Sequence, residues 1–164
     1  MQVKGVFLHY LNQLDRMLAK INQNHFPKSL SDDMFSLAVN ARVAANFALR
    51  GYCPLIGEPI PNLDSDTAAK QDICRQIQAT IQILESCANV ASLDDSILIT
   101  DKAGFTEVSL PQSEYVFHYI VPNFIFHISM VYAIARASGV PLGKSDFDGY
   151  HRYPAHFQFG NGSQ

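Results

Sequence analysis

The chain has 164 residues, 48% of them hydrophobic and 16% charged, with a formal charge of −3. That length makes one ordinary domain able to bury a core without staples. With no Lys/Arg cluster there is no electrostatic footprint for nucleic acid or anionic lipid, and Cys53, Cys74 and Cys87, with no C-x-x-C among them, suggest neither a disulfide framework nor a thiolate zinc site.

The opening MQVKGVFLHYLNQLDRM has no basic leader, unbroken apolar core or small-residue cleavage site, so a reducing cytoplasm is the expected compartment. Apolar residues at Val3, Phe7, Leu11, Leu14, Leu18 and Ile21 follow steps of three and four. That spacing predicts a first helix from Val3 to about His25, stopped before Pro27.

A second helix is expected from Ser31 as N-cap, with Asp32 and Asp33 in its first turn, to Arg50, with Gly51 as the C-terminal stop. Ala38, Ala41, Ala44, Ala45 and Ala48 would let neighbouring helices approach closely. Asn40, Arg42 and Asn46 are its polar exceptions. Arg42 is the oddest charge, serving either an anionic substrate or an Asp or Glu across an interface.

The run YCPLIGEPIPNLD, residues 52–64, holds three prolines and a glycine. It excludes regular structure and is long enough to cross the domain. A third helix is predicted from about Ser65 to Ala88, with Ala69, Ile73, Ile77, Ile81, Leu84 and Ala88 inward.

Two β-prone runs, Ile97–Thr100 and Phe105–Val108, flank a turn at 101–104 and predict a small hairpin. Ser109, three residues before Gln112, then reads as a capping box for a fourth helix ending near Ser138, with Gly139 and Pro141 beyond it.

The centre of that fourth helix, residues 115–135, contains no Asp, Glu, Lys or Arg. It could span a bilayer by length, but two His, an Asn, a Ser and a Pro favour a buried helix and no membrane. Pro122 should bend it. His118 and His127, nine residues apart at about 100° each, fall on opposite faces, whereas Asn123 and His127 share one.

His127 can be read as a lone metal ligand or general base, or as a buried imidazole hydrogen-bonded to Asn123 or to a helix-two side chain. His118 reads as packing or interface. The aromatic tail, with Tyr150, Tyr153, Phe157 and Phe159, is expected to pack on the body or on a second subunit, with Gly160 to Gln164 loose. Zinc-protease, hydrolase and dinucleotide motifs are all missing, and Gly143-Lys144 is not a phosphate loop.

From His118 through PNFIFH, Tyr132 and the run Gly139-Val140-Pro141-Leu142-Gly143-Lys144-Ser145-Asp146-Phe147, the sequence resembles an uncharacterised microbial family. There PNFYFH, AYAILR and GVxLGKxDFxG recur. Asp33-Met34-Phe35-x-Leu37 looks like the same family, and the likeness covers about residues 1–149, leaving 150–164 as a tail. The family is placed with the DinB-like, or YfiT-like, proteins.

That resemblance implies an all-α, four-helix bundle in up-down-down-up order, with a crossover between helices two and three and a homodimer as the common assembly. Better-understood members hold nickel or zinc with one histidine on helix two and a His-x-x-x-His pair on a later helix. Some of them transfer or isomerise groups on low-molecular-weight thiols. Here the matching pair is Asn123 and His127, and Asn40 is the nearest polar candidate on helix two.

Two of three imidazoles are thereby replaced. An amide oxygen is a poor substitute for imidazole toward such metals. The leading expectation is a small-molecule binder with a degenerate metal site near His127, Asn123 and Asn40, with Arg42 and His118 as further ligand-binding candidates. The alternatives are a divalent-metal transferase or isomerase acting on a thiol conjugate, and a non-catalytic helical module for self-association.

Overall fold

The structure is a computed structural model that describes residues 3–65 and 67–154. Four long helices carry it: α1 (Val3–Lys20), α2 (Leu37–Tyr52), α3 (Lys70–Ser86) and α4 (Gln112–Ala137). Strands β1 (Leu98–Ala103) and β2 (Thr106–Pro111) form an antiparallel hairpin between α3 and α4, and a short α5 (Lys144–Asp148) follows. The molecule is thus mostly helical with one small sheet. α2 packs most extensively on α4 and also meets α3, while α1 meets α3 and α5.

The core follows the sequence pattern. Phe7, Leu11, Leu14, Leu18 and Ile21 are fully buried, and Ala41, Ala44, Ala45 and Ala48 line the inner face of α2. Those small side chains let the bulkier Tyr115, Val116, Ile120, Phe124, Ile128 and Val131 of α4 close on them, all at 0% exposure. This long, largely apolar helix buries one side as a core element does, while Phe117 and Phe126 stay exposed.

Several boundaries differ from the sequence expectation. α1 ends at Lys20, because Asn22 turns extended, and a single 3-10 turn covers Gln23–His25. α2 starts at Leu37 rather than after Ser31: the Ser31 hydroxyl donates to Asp33, and Ser36 is the N-cap, accepting from the Val39 amide at 3.3 Å. Gly51 lies inside α2, not beyond it.

α3 starts at Lys70 rather than Ser65. Arg42 pulls Ser65 and the Thr67 carbonyl toward α2, while the Gln23 side chain accepts from the Lys70 amide at 2.5 Å. A 3-10 turn also occupies Cys53–Ile56 at the start of the proline-rich connection.

The hairpin turn is Gly104-Phe105, so Asp101 and Lys102 belong to β1; Gly104 takes φ +62, where a side chain would be strained. Ser109 pairs with Thr100 inside the sheet and caps nothing. The first turn of α4 is held instead by Asp95, whose carboxylate accepts from the Ser113 amide (2.9 Å) and hydroxyl (2.6 Å). Its far end stops as expected, with Gly139 at φ +85 and the Val140 amide returning to Ala135.

Pro122 acts through a π-helical stretch, Tyr115–Ile120, just before it. Proline lacks the N–H that would serve the carbonyl of residue 118, and widening the preceding turns re-routes the bonds: the Val121 amide reaches Val116.

Candidate functional site

The site centres on His127, which projects from α4 toward α2 and is 8% exposed. Its Nδ1 lies 2.9 Å from Oδ1 of Asn40, itself 2% exposed. The Asn40 amide nitrogen donates to the Phe35 carbonyl (3.0 Å) and the Ser36 carbonyl (2.9 Å), so its two N–H bonds are consumed at the start of α2. The orientation of the amide follows, because the reverse would set its oxygen against two carbonyl oxygens.

Only Oδ1 is left to face the imidazole. It is an acceptor, so Nδ1 must carry the hydrogen. The lone pair of neutral His127 is therefore on Nε2, which makes no hydrogen bond among the described residues. Burial lowers the pKa of the ring below the ordinary histidine value and keeps the neutral form at physiological pH.

Aromatic rings enclose the imidazole. Phe47 stacks at 5.6 Å and 20°, Phe35 at 6.3 Å and 26°, and Phe126 meets it edge-on at 5.2 Å. Phe47 is 7% exposed, whereas Phe35 is 56% and Phe126 52% exposed. One wall is thus fixed in the core and two stand at the surface.

Asn123 is not part of this arrangement. Its side-chain amide donates 2.7 Å back to the Tyr119 carbonyl, a local bond made where the π-helical turns meet Pro122. The imidazole takes its partner from α2 instead. His118 sits exposed in the π-helical stretch, away from His127. Arg42 spans α2 and the residues before α3 through Ser65 and Thr67, rather than pointing into the site.

Sequence reasoning missed the aromatic walls and Arg50. Phe47 lies seven residues after Asn40, almost two whole turns, so a helical wheel could have placed it beside the site. Arg50 stacks its guanidinium 4.6 Å from the Phe47 ring and donates to Asp101 (2.7 and 3.0 Å), Tyr119 (2.9 Å) and the Lys102 carbonyl (2.8 Å). Tyr115 adds a bond to the same carboxylate at 2.8 Å. This network ties the hairpin to α2 and α4 beside the rings that surround His127.

The donor set does not suit nickel or zinc. Such an ion takes at least three nitrogen, sulfur or carboxylate donors, and no group of three His, Cys, Asp or Glu is gathered for one among the described residues. Asn40 is spent on backbone and imidazole, and Asn123 on Tyr119. Nε2 of His127 is what remains.

The family described as Domain of unknown function (DUF1993) matches residues 2–148. Among solved structures, the chain is similar to a DinB family member protein from Shewanella denitrificans, with a TM-score of 0.77 and 22% identity over 93% of this chain and 92% of that one. At that identity the likeness is one of fold. No curated protein matches.

Proposed function

The chain belongs to the DUF1993 family, a domain of unknown function with the fold of a DinB family member, and from that premise we propose that it binds a small molecule at His127. The proposed architecture is a four-helix bundle in up-down-down-up order, with residues 53–69 as the crossover. The metal centre of DinB-like relatives is replaced by a single imidazole acceptor in an aromatic slot.

One observation carries this reading: the bond from His127 Nδ1–H to Asn40 Oδ1, which fixes the tautomer and leaves the Nε2 lone pair unbonded among the described residues, on a ring that stacks with Phe35 and Phe47. Such a site suits a flat molecule with one polar hydrogen, its ring stacked on the phenylalanines and its hydrogen given to Nε2. Charge-free chemistry fits best, since no free cation or carboxylate stands beside the ring among the described residues. A homodimer, the assembly that the DinB-like resemblance implies, is a further proposal.

The test uses phenol as probe. In nitrogen-detected NMR, phenol should shift His127 Nε2 saturably and leave His9 and His151 unmoved, and Phe47→Ala should weaken the effect. No shift at His127 sinks the reading. Elemental analysis of untagged protein incubated with nickel and zinc supplies the rival outcome: near-stoichiometric retention lost in His127→Ala would favour a metal-dependent enzyme acting on a thiol conjugate.

A further inference from the structure

Away from His127, α1 and the segment around α5 enclose a cleft of about 460 Å³ lined by Gln13, Arg16, Lys20, Ser145, Asp146 and Arg152. Its charges do not cancel. Asp146 is taken on both oxygens, by Lys20 at 2.6 Å and by the Gly143 amide at 2.7 Å.

Asp148, next along the chain, is also saturated. One oxygen accepts from the Tyr150 and His151 amides at 2.8 and 3.0 Å, and the other pairs with the His151 ring. Arg16 and Arg152 are therefore left without an ion pair among the described residues.

Two surface arginines alone would mean only a solvated face. The second observation is Gln13, which is 5% exposed, lines the same cleft and makes no hydrogen bond among the described residues. A side-chain amide has two N–H donors and an acceptor oxygen, and those of Gln13 have solvent in the cleft, or a molecule bound there, as their remaining partners. Gln13 rests against the bare Cα of Gly149, where an added Cβ would come 2.3 Å from its Nε2. Gly149 holds φ +76, so the chain turns there in a conformation that keeps a side chain out of the way.

We propose that this cleft binds a small oxyanion, the carboxylate or phosphate group of a low-molecular-weight compound, with Arg16 and Arg152 on the anion and the Gln13 amide on a polar atom beside it. Guanidinium groups offer the paired N–H bonds that both oxyanions accept. The volume admits a molecule rather than a bare ion.

The experiment titrates the full chain, labelled with nitrogen-15, with succinate and separately with inorganic phosphate, holding ionic strength constant with chloride. Saturable shifts of the Gln13 side-chain amide, the Arg16 Nε–H and the Gly149 amide are expected. Saturation by succinate identifies the carboxylate, and saturation by phosphate the phosphate. Arg16→Gln and Arg152→Gln, both at exposed positions that leave the core intact, should each weaken binding by about tenfold. Shifts at Gln13 that fail to saturate with either probe, or that are unchanged in the double variant, would overturn the proposal.

Discussion

Gly51 of α2 and Ile120 of α4 are in contact through a gap no side chain can enter. A Cβ on Gly51 would stand 2.3 Å from Ile120 Cγ2 and 2.9 Å from Phe7 Cζ. The glycine costs helix propensity and is kept because α4 comes that close. It lies one helical turn past Phe47, on nearly the same side of α2.

Gly51→Ala should therefore destabilise the fold by roughly 1–3 kcal/mol in chemical denaturation, although alanine is the better helix former. Combining it with Ile120→Ala should cost less than the sum of the two single changes, since the two positions share one space. A variant as stable as the parent would show that α2 and α4 are not so tightly apposed.

Removing the Asn40 side chain strands two groups together, the His127 Nδ1–H and the carbonyl of Phe35, while the Ser36 carbonyl keeps the Asn40 backbone amide at 2.9 Å. Asn40→Leu should cost about 2–4 kcal/mol, the sum expected when buried partners go unmet. Imidazole nitrogen shifts provide the sharper readout. The parent should show Nδ1 protonated, and the variant a mixture of tautomers.

Burial holds the pKa of His127 below its ordinary value of 6.5. Falling pH protonates the unfolded chain first, so the stability contributed by this ring is complete above 6.5 and is lost as pH drops from there through the folded value. Denaturation midpoints at about pH 7.5 and 5.5 should fall further in the parent than in His127→Gln. An equal fall in both would mean that the ring is not shielded.

The hairpin depends on Asp101, which joins Arg50 and Tyr115 with side chains only 15–23% exposed in the ion pair. Burial and the Asp101 carboxylate raise the Tyr115 phenol above its ordinary pKa, so it stays a donor throughout the working range. Asp101→Ala should cost roughly 2–3 kcal/mol, less than for a fully enclosed pair. Amide exchange over residues 98–111 should accelerate well before that of α1 or α3.

Much of this was legible in the residues. The stripe of α1, the Ile73, Ile77 and Leu84 positions of α3, the small inner face of α2, a hairpin before α4 and the glycine stop after it are statements of spacing, whereas Ala69 and Ala88, expected inward on α3, lie outside Lys70–Ser86 and Ala88 is exposed. The PNFIFH and GV-x-LGK-x-DF strings also marked the family correctly. Residues 155–164, with Phe157 and Phe159 of the expected aromatic tail, lie outside the described residues; nearer the body, Tyr150 stacks on His9 at 5.0 Å.

What the sequence by itself determined is the four long helices, most of their buried positions and the inward direction of His127, but not the short α5. Only the tertiary structure decided what each buried polar group would bind: Asn40, 87 positions away, for His127; Tyr119 for Asn123; Asp101 for Arg50; Ser65 and Thr67 for Arg42. Periodicity is a property of one helix taken alone. A hydrogen bond reaches about 3 Å, so its partner depends on how far one helix is translated and rotated against the next, which is settled by the packing of Gly51, Ile120 and the alanines of α2.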